Sequence, residues 1–299
     1  MSRYYYDFHV HSCLSPCGDN EMTPGNILGM AVVKGLDAVA ISDHNAARNL
    51  PAAQKIADAY GLLLVPAIEI TTKEEVHMLG YFPDVDTAVE FGKLLKDHLP
   101  PKKNKPAFFG EQLVMNEDDE VIDQEDALLI GATDLTLEEC AERVRSVGGV
   151  PVPAHINRGN NGLLVNLGFM PPFPVFTTVE VWRHLPCPLE PLENKHVLHS
   201  SDAHYLGDIQ EPEFMLHLPE KSVSALLQWM RSSKKAHSTT ITSVKGSGLS
   251  AMVPQSPAMP PLSPSGRKAG RLAGVTKPSA MATVSDPKPT WDRPSPIME

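Results

Sequence analysis

The chain has 299 residues, with 36 acidic and 26 basic side chains and a net charge of −10; that length can bury one barrel-sized core or two ordinary ones. Seven Lys/Arg and three Asp/Glu lie from residue 245 onward, so the preceding body carries about −14 and the last stretch about +4, a balance that argues against gripping long nucleic acid through the general surface. Four scattered cysteines, Cys13, Cys17, Cys140 and Cys187, do not make a disulfide framework. With no signal peptide and no long apolar run, the default expectation is a cytoplasmic protein.

Residues 4–10 read as a first strand. Thr23-Pro24 has the form of a helix start, and Ile27, Leu28, Ala31 and Val32 recur at helical spacing until Gly35 ends the run. Residues 38–41 are a short, nearly all-apolar strand, followed by a helix over 51–60 closed by Gly61, a third strand over 62–70 and a fourth over 76–82. This alternation predicts parallel strands joined by right-handed crossovers.

Residues 86–99 are helical in pattern, after which the rhythm breaks. Residues 100–130 form a polar interlude with Lys102, Lys103 and Lys105 near its start and an acidic cluster, Glu117 to Glu120, near its middle. It reads as an insertion with a small hairpin at the acidic turn, the lysines being a solvated loop. Thr136 and Glu139 fit a capping box ahead of Ala141, Val144 and Val147. Strands five to seven are expected over 150–156, 177–182 and 196–200, and Ser222 can cap a last helix through Leu226, Leu227 and Met230. Ten of the 28 prolines fall beyond about residue 244, so 245–299 reads as a disordered Pro/Ser-rich tail.

The chemistry is concentrated at strand ends. His9 and His11, two apart in a strand, project from one face and form a metal pincer. Similar features follow at the ends of later apolar runs: Ser42-Asp43-His44, Ile68-Glu69-Ile70, Val76-His77, Pro153-Ala154-His155 and Ser201-Asp202-Ala203-His204. A barrel of βα units would place all of them on its C-terminal rim. Asp43 and His44 are adjacent and must point apart, so His44 is the ligand candidate and Asp43 the hydrogen-bond partner behind the metal. Glu69 lies in an apolar segment with no Lys or Arg nearby, where a carboxylate must be paired or metal-bound. Cys13 reads as a reduced loop thiol, whereas Cys17 fits a thiol or a ligand equally. Arg158, three residues past His155, is either a phosphate-binding group or a surface arginine; Arg183 and His184 are weaker candidates for the same rim. His98, His196, His199, His217 and His237 are read as ordinary.

Together these motifs resemble the PHP (polymerase and histidinol phosphatase) domain family of metal-dependent phosphoesterases over residues 1–240. The resemblance implies an α/β fold, a distorted seven-stranded β/α barrel with an insertion over about 86–147, like that of the family's nucleotide-hydrolysing branch, and two or three divalent ions (Zn, Mn or Fe). It further implies one ion on His9, His11, Glu69 and Asp202 and a second sharing Glu69 and adding His77 and His155. A third would sit on His44, His204 and an acidic residue shortly after the His-x-His pair. The loop here, Ser12-Cys13-Leu14-Ser15-Pro16-Cys17-Gly18-Asp19, is longer than the family's usual version; Asp19 is the expected ligand and Cys17 the alternative.

Three divalent ions against the carboxylates of Asp19, Glu69 and Asp202 leave a strongly positive pocket in an acidic protein, suited to phosphate and to a metal-activated water as nucleophile. The expected activity is therefore that of a metal-dependent phosphoric ester hydrolase acting on a phosphomonoester of a small metabolite or nucleotide, with Arg158 and Asp43 assisting. The alternatives are a 3',5'-nucleoside bisphosphate phosphatase or a 5'-3' exonuclease on short oligonucleotides. Further off stand a metal-binding module with little turnover and an amidohydrolase-type enzyme. No membrane partner and no stable complex with long nucleic acid are expected.

Overall fold

A computed structural model describes residues 2–232 and the backbone of Thr242–Ser243; the tail expected over 245–299, and His237, lie outside the described residues. In chain order the strands are β1 (Ser2–Val10), β2 (Ala38–Ile41), β3 (Leu63–Thr71), β4 (His77–Tyr81), β5 (Leu113–Met115), β6 (Val121–Gln124), β7 (Val150–Pro153), β8 (Thr178–Glu180), β9 (His196–Leu198), β10 (Phe214–Leu218) and β11 (Thr242–Ser243). The helices are α1 (Pro24–Lys34), α2 (Leu50–Tyr60), α3 (Val85–Asp97), α4 (Pro106–Phe109), α5 (Leu137–Ser146), α6 (Leu163–Asn166) and α7 (Val223–Arg231). None among the described residues is long and apolar enough to cross a membrane.

Six strands form a curled half-barrel sheet in the order β10-β1-β2-β3-β4-β7, with the two-residue β11 on the outer edge of β10. β1, β2 and β3 are parallel, their apolar runs covered on one face by α1, α2 and α3. The expectation of uniformly parallel strands fails at β4, which pairs antiparallel with both β3 and β7. The reason is chain length. Only residues 72–76 join β3 to β4, and a parallel return needs a dozen residues or more. β10, which has no counterpart among the strands expected from sequence, pairs antiparallel with the first half of β1, with Ser2 opposite Leu218. β8 and β9 make a separate two-stranded parallel ribbon.

Side-chain alternation divides the core. Val39, Ile41, Leu64 and Ile68 pack toward the helices, while Ala38, Ala40, Val65, Ala67, Leu79 and Val152 pack on the concave face with Tyr6, Phe8 and α7. The pairing of β1 with β2 slips between Asp7 and Val10. Phe8 thus joins the concave cluster and Val10 the opposite one, so His9 can also turn inward, the re-aiming that bulges produce beside functional sites.

A hairpin, β5 with β6, occupies the position expected from the acidic turn. Its turn residue Asp119 accepts hydrogen bonds from Thr23 Oγ1 (2.7 Å) and Gly25 N (3.0 Å) at the start of α1, where a helix favours negative charge. Asn49 holds the other side, donating to Leu113 O (3.1 Å) and accepting from Met115 N (2.9 Å).

Helix ends follow the local signals: Thr23, Thr136 and Ser222 accept from backbone amides at their N-caps. At α5 the box is complete, with Glu139 reaching back to Thr136 N at 2.8 Å. Thr136→Ala should lower stability by about 1 kcal/mol, read as a lower midpoint in denaturant unfolding with an unchanged slope.

Candidate metal centre

Glu69 stands at the concave end of β3, on the face of Val65 and Ala67, and is 1 % exposed. Five imidazoles surround its two oxygens. Oε1 lies 3.2 Å from His9 Nε2, 2.9 Å from His77 Nδ1 and 3.2 Å from His155 Nε2; Oε2 lies 3.3 Å from His11 Nε2 and 3.1 Å from His44 Nδ1. Asp202 Oδ1 closes one side at 3.1 Å from His11 Nε2 and 3.4 Å from His9 Nε2. His204 packs on His11 with ring centroids 4.4 Å apart. Eight of the nine expected ligands therefore meet on one rim. The ninth, Asp19, uses its Oδ1 to accept from Glu21 N at 2.9 Å and joins none of the ligand groups.

Three sets have all their ligand atoms within 4.8 Å of one another: His9, His11 and Asp202; His44, Glu69 and His77; and His11, Cys17, His44 and His204. The grouping differs from the expected one in placing His44 beside both Glu69 and His204, and it includes Cys17, the alternative at the third site, in place of Asp19. Cys13 belongs elsewhere: it is fully buried and its Sγ faces Leu113 O at 3.9 Å.

Supporting residues fix the ring. Asp43 does not hold His44. It lies behind the loop after β1, accepting from Ser12 N (2.7 Å), Ser12 Oγ (2.6 Å) and Ser15 Oγ (2.7 Å). Ser15 Oγ then meets His11 Nδ1 at 3.0 Å and accepts from the backbone N of His44 at 3.1 Å, so through one serine Asp43 orients the His11 imidazole and the main chain at His44. Asp7 accepts from Ser201 N and Gln210 N, each at 3.0 Å, and ties β1 to the loop carrying Asp202.

Glu180, absent from the ligands and partners expected from sequence, accepts from His155 N at 3.0 Å and pairs with His9 Nδ1 at 2.9 Å, leaving His9 Nε2 for a metal. Its signal was present: like Glu69, it is a carboxylate inside an apolar strand. His155 (φ 26°) and Asp202 (φ 52°) adopt left-handed backbone, a conformation that costs a non-glycine residue about 1–3 kcal/mol and clusters at functional sites.

No family model matches the chain. Over 85 residues it is 33% identical to the 5'-3' exoribonuclease Rnm of Salmonella typhimurium, covering 27% of this chain and 28% of that protein. Over 88 residues it is 34% identical to an uncharacterized protein of Methanocaldococcus jannaschii, covering 27% of this chain and 51% of that one. The solved structure of the lesion-specific endonuclease PfuEndoQ from Pyrococcus furiosus superposes with a TM-score of 0.59 at 17% identity, over 80% of this chain and 58% of that one. A complex of Endonuclease Q with a 27-mer duplex carrying an abasic lesion gives 0.57 at 18% identity, with the same coverage. The chain thus spans less than two thirds of each of these proteins. It is PHP-like.

The rim fits divalent cations by its own chemistry. His9 Nε2, His44 Nδ1, His77 Nδ1 and Glu69 Oε2 are buried without a hydrogen-bond partner, a costly condition that a cation would relieve. Burial works against charge on Glu69 and Asp202, but the surrounding imidazoles, His77 and His9 foremost at Glu69 and His9 and His11 at Asp202, hold both carboxyls well below the usual range. Burial keeps His44 and His77 below the usual imidazole value and takes His204 down to about 4. On His9 and His11 the same burial is outweighed by nearby carboxylates, chiefly Glu180 for His9 and Asp202 for His11, which is raised to about 9. The centre thus presents anionic carboxylates and three neutral imidazoles, the forms that ligate metal.

Arg158 reaches this centre, pairing with Asp202 Oδ2 while its guanidinium lies 4.8 Å from the Trp182 ring centroid. Arg183 instead pairs with Glu213 at 2.5 Å, away from the ring. If Glu180 orients His9 for a metal, Glu180→Gln should weaken zinc affinity by about 10- to 100-fold with secondary structure intact. Competition against a chromophoric chelator alongside circular dichroism measures both.

Proposed function

We propose that the chain is a metal-dependent phosphoesterase that hydrolyses a phosphomonoester of a small metabolite or nucleotide, on two or three divalent ions held at the rim. The convergence of six imidazoles and two carboxylates around Glu69 carries this reading. We further propose that the strands close as a distorted seven-stranded barrel. Supporting closure, Ile156 N donates to Glu180 O at 3.0 Å between the ends of β7 and β8, and His11 N donates to Ala203 O at 2.9 Å between the ends of β1 and β9.

Divalent ions bound here would draw phosphoryl oxygens together and acidify a water for attack on phosphorus. The chain's own residues set the stage. Glu69 and Asp202 would hold the cations, Glu180 and the Asp43–Ser15 pair keep His9 and His11 in register, and Arg158, paired with Asp202, would take phosphoryl oxygens with its fork of N–H donors. Water cleaves the P–O ester bond, the phosphoryl group leaving as phosphate and the alcohol receiving the proton. Because the water attacks phosphorus directly, no side chain is required as nucleophile.

A second reading keeps the chemistry and enlarges the substrate to a nucleoside 3',5'-bisphosphate or the end of a short oligonucleotide. The observation in its favour is the half-buried Trp182, flanked by Arg158 at 4.8 Å and by His184 at 5.1 Å between ring centroids, a flat platform on which a base can stack. The exoribonuclease and endonuclease likenesses point the same way.

His44→Ala and Glu69→Ala should lose bound metal and phosphate release together while the fold persists. The assay panel is p-nitrophenyl phosphate, nucleoside 3',5'-bisphosphates and 5'-phosphorylated oligoribonucleotides with added manganese. Full turnover in both variants contradicts the site. Release of mononucleotides in place of phosphate selects the second reading.

A further inference from the structure

The third corner of the ring has a donor that the PHP-like reading leaves open. We infer that Cys17 Sγ, and not the Asp19 carboxylate, completes the corner formed by His11, His44 and His204, making it a sulfur-containing site selective for zinc, cobalt or ferrous iron over magnesium or manganese. The inference rests on the metal-centre reading above.

Four observations support it. The ligand atoms of Cys17, His11, His44 and His204 all lie within 4.8 Å of one another. His44, one of these four residues, has its Nδ1 buried without a hydrogen bond, 3.1 Å from Glu69 Oε2. The Asp19 carboxylate is turned to the Glu21 amide at 2.9 Å, while its own backbone N donates to His204 O at 2.9 Å; Asp19 therefore braces His204 through the main chain and spends its side chain outside the corner. Lastly, the loop cannot easily slide to exchange the two. A Cβ on Gly18 would meet Ser12 O at 2.5 Å, and a side chain on Gly110 of the insertion would strike Pro16 O. Cys17 is thus held between a glycine pressed on Ser12 and a proline pressed by the insertion.

The chemical consequence follows from donor softness. A thiolate carries the same charge as the carboxylate it replaces but favours softer ions, and with imidazoles it forms the mixed N/S set typical of zinc. Cys13, four residues earlier, is the internal control, because it is buried against the insertion and outside the corner.

The test uses the full-length protein stripped by chelation and titrated with Co(II), comparing wild type with Cys17→Ser, Cys13→Ser and Asp19→Asn. Wild type, Cys13→Ser and Asp19→Asn should develop sulfur-to-cobalt charge-transfer absorption in the near ultraviolet. Cys17→Ser should lose it together with roughly one cobalt per chain, as removal of a soft ligand requires. A second measurement on wild type covers misfolding of the variant: alkylation of Cys17, mapped by mass spectrometry, should slow on cobalt loading while that of Cys187 does not change. Charge-transfer absorption surviving in Cys17→Ser, loss of a cobalt from Asp19→Asn instead, or unchanged Cys17 alkylation overturns the inference. Cobalt bound by wild type without that absorption overturns this assignment alone, whereas no cobalt bound at all overturns the metal-centre reading with it.

Discussion

A carboxylate that is 1 % exposed, ringed by five imidazoles and reached by no lysine or arginine among the described residues, is the constraint on which the rim depends. Removing Glu69 from water costs several kcal/mol if its charge stands alone. The imidazoles relieve part of that cost, and yet four buried polar atoms of the same ring still make no hydrogen bond. An assembly of this kind is poor material for stability alone, since apolar residues of similar volume would be cheaper. Its unsatisfied polar atoms suit it to receive cations.

The arrangement can be followed outward. Parallel β1, β2 and β3 bring His11, His44 and Glu69 side by side because strand ends in such a sheet share one rim. The short β3–β4 return then swings His77 back across from Thr71, and β7 follows it to deliver His155. Behind the ligands, Asp43, Glu180 and Asp7 each hold a neighbouring segment with two or more hydrogen bonds. The insertion is fastened to the same loops through Asn45, Asn49 and the Asp119–Thr23 contact. It is therefore tied to the segments that carry the rim.

Most of the ring of side chains about Glu69 was legible in the sequence because burial makes polar residues conspicuous: a glutamate among Val65, Ala67, Ile68 and Ile70 must be paired or metal-bound, and a histidine pair at period two aims two donors at one point. The same logic applied to Thr178-Val179-Glu180 would have found Glu180. What could not be read depended on contacts between distant segments. Asp43 was expected behind His44, but its partners are two serines on a loop some thirty residues earlier, and local spacing says nothing of them. Period-two spacing placed His9 and His11 together correctly, although the strand achieves this through a slip in pairing that also turns Phe8 inward. The direction of β4 followed from loop length, which was available but outweighed by the strand–helix rhythm. Asp19 and Cys17 were separable only once the loop had a conformation, since both lie close to the histidine pair in sequence.

The account stands on cations gathered about Glu69, and the most direct test is anomalous diffraction from crystals of the full chain, recorded at the absorption edge of the metal with which it copurifies or is loaded. Two or three anomalous peaks are expected, with the strongest in direct coordination of Glu69 and its imidazoles. A map with no peak at Glu69, in crystals whose ring of histidines is otherwise as described, would contradict it.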